Sequence, residues 1–359
     1  MSAAIDEPRE VRAEDAFDVG ALHAWLGSRV DGLGAAPPEV RQFPGGASNL
    51  TYLLRYPERD LILRRPPAGE HRGAAHDVLR EARIQSRLRP TFPLVPAVEA
   101  TGEDEEARAA CGDRPFYVME RLAGTIVRGR LPEGMTLSPD DARRMAEAAI
   151  DTLAALHAVD VDAAGLRDLG RGAGYVQRQV EGWTARYDAA RTPRSPSFRA
   201  VTQWLAEHRP DDVATCVIHN DFRLDNLVLA PDDPGRVLGV LDWEMATLGD
   251  PLMDLGSALA YWVEAGDGRG MQLLRRQPTD LPGMPTRQEV VARYCERAGI
   301  AVPAWTFYEV FGLFRLAVIV QQIYARYVAG KTTNPQFKRF WIAVRYLDLR
   351  CRRIIRQAG

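Results

Sequence analysis

The chain is poor in cysteine: Cys111, Cys216, Cys295 and Cys351 are all it has in 359 residues, and they are widely scattered. No C-x-x-C or Cys/His metal spacing can be built from them, and a reduced, cytoplasmic protein is the expectation. An excess of charge is missing too. Lys and Arg number 46 against 48 Asp and Glu, for a net charge of −2, so no general affinity for nucleic acid follows. Long uninterrupted apolar runs are absent. The most apolar late segment, residues 310–329, is broken by Arg315, Gln321, Gln322 and Arg326, and reads as a buried helix rather than a membrane span. The opening MSAAIDEPREVRAEDAFD is acidic and polar, unlike a signal peptide. Internal repeats and long low-complexity tracts are not found either. What remains is an ordinary globular composition, long enough for two modest domains or one bilobal one. Neither nucleic acid nor a membrane is expected as a partner, and the oligomeric state is left open.

The most informative stretch is residues 217–256, VIHNDFRLDNLVLAPDDPGRVLGVLDWEMATLGDPLMDLG. Two short apolar runs, Leu227 to Leu229 and Val237 to Leu241, flank a Pro/Asp/Gly turn and predict a β-hairpin. The hairpin would return Asp242 to the side of Asp221 and Asn226. Phosphoryl transfer from ATP needs such a grouping. One carboxylate orients the attacking hydroxyl and accepts its proton, an amide oxygen and a second carboxylate hold Mg²⁺, and a cation offsets charge on the transferred group. Asp221 suits the first role, Asn226 and Asp242 the second, and Arg223 the last. A hairpin whose Asp and Asn residues only make turns is the plainer alternative.

HNDFRLDN followed by LDWEMATLGDPLMDLG resembles the aminoglycoside phosphotransferase family, a kinase-like family acting on small molecules. GGASNLTY, LRRPPAG, PFYVMERLAG, RQVEGW and FGLFRLAVIVQQIYARYVAG extend the likeness over about residues 41–350. It is strongest to the branch found as a kinase-like domain of long acyl-CoA dehydrogenases. DWE replaces the DFG of protein kinases, and no A-P-E signature follows, which argues against a protein kinase. Asn220 stands where the family usually has Gly, a departure of little weight if the backbone there needs no positive φ. The resemblance implies an α+β, protein-kinase-like bilobal fold. Residues 1–122 would form a small antiparallel-sheet lobe that binds nucleotide, with 1–18 a loose arm, and residues 123–359 a mainly helical lobe.

Within that frame, Gly45 and Gly46 in a strand–turn–strand segment would let backbone approach a phosphate, with Ser48 and Asn49 as donors. The strand DLILRR carries Arg64 and Arg65 where a kinase has its phosphate-gripping lysine. An Arg can replace the lysine because it binds phosphate oxygens bidentately, and Arg64, aligned through the Leu before it, is favoured, with Arg65 as runner-up. Glu81 on the helix predicted over 77–88 would pair with it. The resemblance also implies that Glu120 C=O and Leu122 N–H face the adenine edge. His157, His219, Asp250 and Asp254 read as structural supports.

The acceptor is less determined. The wider family acts on antibiotics, choline, sugars and homoserine, and the acyl-CoA-dehydrogenase branch implies hydroxylated acyl-CoA compounds. From Ala301 onward the only acids are Glu309 and Asp348 against ten basic residues. Such a lobe suits an anionic acceptor, with Arg186, Tyr187, Arg315 and Tyr324 as candidate contacts. The expectation is therefore an ATP- and Mg²⁺-dependent phosphotransferase for a small-molecule hydroxyl. An aminoglycoside-type antibiotic kinase and a nucleotide-binding pseudokinase are the alternatives.

Overall fold

The computed structural model describes residues 8–44, 49–67 and 77–358. Five strands form one sheet in the order β1-β2-β3-β5-β4: β1 (Glu39–Gln42), β2 (Leu50–Arg55), β3 (Asp60–Arg65), β4 (Val98–Gly102) and β5 (Phe116–Glu120). Every neighbouring pair is antiparallel. Strand alternation gives the sheet two apolar faces. Tyr52, Leu54, Leu61, Leu63, Phe116 and Val118 pack with α1 (Val19–Gly27) and α3 (Glu105–Ala110). Leu53, Ile62, Tyr117 and Met119 pack with α2 (Val78–Leu88).

Two details differ from the sequence reading. Residues 8–18, read as part of a loose arm, are docked. Arg9 bridges Gln42 through backbone bonds, and the Asp15 carbonyl accepts from both Tyr52 and Arg65. The polar stretch before Gly112, which carries no clear apolar period, contains α3. Asp104 caps it by accepting from Ala107 N–H, and Ala107 and Ala110 are buried. Short helices with only two apolar contacts leave little periodicity to read.

The larger lobe is helical, except for two strand pairs around the site. α4 (Pro139–His157) starts as its Ser-Pro-Asp-Asp signal predicts, with Ser138 capping Asp141 N–H. α5 (Tyr175–Ala189) and α6 (Arg199–Glu207) follow. β6 (Cys216–Ile218) pairs antiparallel with β9 (Thr247–Gly249), and β7 (Leu227–Ala230) with β8 (Asp233–Val240). The second pair is the expected hairpin. α7 (Pro251–Leu259) begins where Asp250 accepts from Leu252 and Met253 N–H and Pro251 occupies the first position. α8 (Arg269–Leu274), α9 (Arg287–Ala298), α10 (Thr306–Val328) and α11 (Phe340–Ala358) complete the lobe. α10 is long and apolar enough to cross a membrane by length and composition, yet 67% of its most apolar window is buried inside the protein. Its neighbours there are chiefly α7 and α11.

Candidate active site

The two lobes enclose a cleft of about 440 Å³. Ile62 and Arg64 of β3, Met119 to Leu122, Asn226 and Asp242 are among its walls. Arg64 is nearly buried and donates to Glu81 Oε1 at 2.7 Å and to Asp242 Oδ1 at 3.2 Å. Burial opposes the Arg64 charge, but Glu81, Tyr117, Asp242 and Glu244 outweigh it and raise its pKa well above the usual value. Burial pushes the Glu81 carboxyl up, against the pull of Arg64. Arg65, one residue on, points to the opposite face. It donates to Tyr52 Oη, Cys111 O and Asp15 O, and has no access to the cleft.

The catalytic-loop candidates are drawn together by short-range bonds. Arg223 Nη2 donates to Asp221 Oδ2 at 3.0 Å. Asn226 Nδ2 donates to the Asp221 carbonyl at 2.8 Å and to its Oδ2 at 3.3 Å. That orientation leaves the Asn226 amide oxygen for a cation. Leu241 N–H bonds Asn226 O at 2.8 Å, which sets Asp242 beside Asn226 at the wall of the same cleft. An amide oxygen and a carboxylate are hard oxygen donors of the type that hold Mg²⁺, so the pair fits that ion.

The loop itself is suspended from buried groups. Asp254 accepts the N–H groups of His219 and Asn220, each at 2.8 Å, and His157 Nε2 lies 3.2 Å from it. Burial would raise the Asp254 pKa, but its bonds to His157 and the neighbouring backbone outweigh burial and lower it. His219 Nδ1 accepts from Asp221 N–H, so its Nε2–H donates to Leu241 O at 2.9 Å. Asp250 accepts Val213 N–H in addition to capping α7. Asn220 has φ 64, so the loop does require a positive φ. Asn is one of the few side chains to enter that region readily. Here it is also fixed by donating to Met245 O and accepting from Tyr175 Oη.

The other expected site residues do not all meet in the cleft. Gly45, Gly46 and Ser48 lie outside the described residues. Glu120 and Leu122 line the cleft, and the Glu120 carboxylate is tied to Ala97 N–H and Arg89. Asn49 is buried and does not line the cleft, and it donates to Glu244 Oε2 at 3.2 Å. The acceptor candidates separate. Arg186 is exposed and lines a pocket beside β9. Tyr187 is buried, donates to Pro196 O and packs on Phe198 and Phe314, so it belongs to the core. Tyr324 is also buried. Arg315 is buried and donates to Asn220 O at 2.7 Å, which makes it a brace for the catalytic loop instead of an acceptor contact. Two further C-terminal arginines are likewise engaged: Arg350 with Asp267 and Arg352 with Asp348. Three of the ten C-terminal bases are thus taken up by partners within the protein.

Sequence reasoning missed several participants. Asp225 and Arg128 line the cleft. Burial raises the Asp225 pKa. Gln277 accepts Leu224 N–H at 2.7 Å from far along the chain. Glu244 lies 3.8 Å from Arg64 and was available in the DWE motif. Arg80 of α2 donates to the carbonyls of Glu244 and Ala246, joining the lobes.

A small antiparallel lobe with a buried Arg–Glu pair, over a helical lobe with its Asp/Asn loop, is the protein-kinase-like architecture of small-molecule phosphotransferases. The phosphotransferase enzyme family model matches residues 39–305, and the chain belongs to that family. Mouse acyl-CoA dehydrogenase family member 10 is 36% identical over 92% of this chain and 30% of its own length. Human acyl-CoA dehydrogenase family member 11 is 34% identical over 90% of this chain and 41% of its own. The chain thus spans less than half the length of these relatives. A crystal structure from Ralstonia eutropha, of a protein assigned as an aminoglycoside phosphotransferase, superposes with a TM-score of 0.80 at 33% identity, covering 96% of this chain and 100% of that one. Aminoglycoside phosphotransferase APH(4)-Ia, solved with AMP-PNP and hygromycin B, shares the fold with a TM-score of 0.56 at 16% identity, over 96% of this chain and 99% of that one.

Proposed function

We propose that the chain is an ATP- and Mg²⁺-dependent kinase that phosphorylates a hydroxyl of a small anionic molecule, with a hydroxyacyl-CoA as the favoured acceptor. One observation carries the kinase reading: Arg64, held by Glu81, reaches Asp242 in the cleft that Asn226 also lines, and Asn226 bonds directly to Asp221. In this reading the acceptor oxygen bonds to the γ-phosphorus as the bond to the β,γ-bridging oxygen breaks. ADP leaves, and the hydroxyl proton passes to the Asp221 carboxylate, which Arg223 and Asn226 orient. Arg64 contacts the nucleotide phosphates. Asn226 and Asp242 would hold Mg²⁺, which would supply positive charge against the nucleotide phosphates.

The anionic preference is supported by the arginines of a pocket beside β9 and by the branch in which the chain's relatives fall. The test is ADP release over a panel of hydroxylated metabolites, hydroxyacyl-CoA esters and kanamycin-like compounds. Acceptor-dependent release with an anionic hydroxy compound, and none with the antibiotics, is expected. Turnover of an aminoglycoside without response to any CoA ester would restore the antibiotic-kinase alternative. Nucleotide binding with no turnover on any acceptor would favour a pseudokinase.

A further inference from the structure

A second pocket, of about 380 Å³, lies beside β9, whose partner strand leads into the catalytic loop, and shares no lining residue with the nucleotide cleft. It is bounded by the segment 169–171, one side of α5 and β9. We propose that this pocket binds a phosphate group of the acceptor, so that the acceptor has two ends: a hydroxyl at Asp221 and a phosphate among Arg171, Arg178 and Arg186. The proposal rests on the kinase reading above and deepens its acceptor side.

The lining holds three guanidinium groups and no carboxylate. Arg171 is exposed, and neither Arg171 nor Arg186 has an ion pair among the described residues. The Arg186 guanidinium lies 4.7 Å over the Trp183 ring. Stacking uses the flat face of a guanidinium and leaves its N–H edge for an anion. Arg178 donates to Ala173 O and Gly172 O, at 2.5 and 2.7 Å, and so fixes the loop that follows Arg171. Forked N–H donors match phosphate oxygens in pairs. A polycation would meet only repulsion at these walls.

The pocket is also physically joined to the reacting end. Tyr175 lines it and donates to Asn220 Oδ1 at 3.1 Å, next to Asp221 in the chain. Thr247 and Leu248, on its far wall, pair with Ile218 and Val217 just before that loop. A ligand here is therefore placed by the same elements that place the catalytic carboxylate. Because ATP phosphates belong to the other cleft, the anion held here belongs to a second molecule.

The probe is 4′-phosphopantetheine, compared with pantetheine and with inorganic phosphate. Binding to the whole chain is measured calorimetrically with Mg–ADP saturating the nucleotide cleft. Phosphopantetheine should bind about tenfold or more tightly than pantetheine, and the Arg171→Ala/Arg186→Ala double variant should lose that advantage. Its Mg–ADP affinity and thermal midpoint report that the fold is intact. If inorganic phosphate binds as well as phosphopantetheine and is lost in the same variant, the pocket reads phosphate alone and the proposal stands. Equal binding of all probes by wild type and variant overturns it. With a hydroxyacyl-CoA as substrate, the variant should raise the acceptor KM and largely spare kcat. An active kinase whose acceptor KM ignores both arginines would refute the pocket while leaving the kinase reading intact. Phosphate binding without any turnover would do the reverse.

Discussion

Arg64 and Arg65 are adjacent in sequence and opposite in role. Successive strand residues face opposite sides, and Ile62 and Arg64 share the cleft face while Leu61, Leu63 and Arg65 face the core under α1 and α3. The phase of that alternation is invisible in Leu61-Ile62-Leu63, where both faces are apolar. The sequence could therefore name two arginines but not separate them by pattern. The two variants should behave differently. Arg65→Ala leaves Tyr52 Oη and Cys111 O without the donor they share, and leaves Asp15 O with Tyr52 alone. It should cost about 3 kcal/mol or more, read from the denaturant midpoint. Arg64→Ala should raise the KM for ATP about tenfold and lower kcat. Glu81→Ala should act in the same direction but more mildly, by freeing the arginine. An Arg64→Ala enzyme with unchanged ATP kinetics would remove this strand from the phosphate site. At the reacting carboxylate, Asp221→Ala should lower turnover by about 10²-fold or more. Near-normal turnover in that variant would mean that another group accepts the proton.

At the scale of elements, the catalytic loop was legible, and so were its supports His157, His219, Asp250 and Asp254, while two that come from farther along the chain were not. The spacing of Asp221, Arg223, Asn226 and Asp242 follows from local chain order, because one hairpin returns the last to the first. Arg315 on α10 and Gln277 before α9 reach the loop from residues distant in sequence, and nothing near them signals a destination. Arg315 consequently looked like an acceptor contact. As a brace on the Asn220 carbonyl, it should affect kcat more than acceptor KM when changed to Ala. A dominant rise in acceptor KM would return it to the acceptor site. Asp254 carries a pH prediction with a definite sign. Its folded pKa is lowered, so its stabilisation is complete above the unfolded value, about 3.9. That stabilisation is lost as pH falls through the lower folded value. Asp254→Asn should thus destabilise the protein at neutral pH, and its deficit against wild type should shrink below about pH 4. A deficit that stays constant to lower pH would assign the effect to geometry, not charge.

For the whole molecule, the bilobal plan was readable because turns, caps and apolar periods mark element boundaries one after another. How the lobes meet was not readable, because it depends on long side chains crossing between them. Arg80 of α2 holds two carbonyls after Asp242, Arg87 pairs with Asp168, and Arg64 bridges Glu81 to Asp242. Nucleotide bound in the cleft would engage both lobes at once, so its binding energy should appear in the unfolding of the entire chain. At a free Mg–ATP-analogue concentration of about 100 times Kd, linkage gives about 2.7 kcal/mol of added stability. For a protein of this size that is a rise of a few degrees in Tm. On the proposed assignment, in which Asp221 orients the acceptor and not the nucleotide, Asp221→Ala should retain the shift. Asp242→Ala should lose most of it, and omission of Mg²⁺ should reduce the wild-type shift in the same way. Thermal scans of the three proteins with and without metal therefore separate the two carboxylates without any knowledge of the acceptor. A full shift in Asp242→Ala would move the metal site away from this residue. No shift in Asp221→Ala would place that carboxylate on the nucleotide side of the cleft.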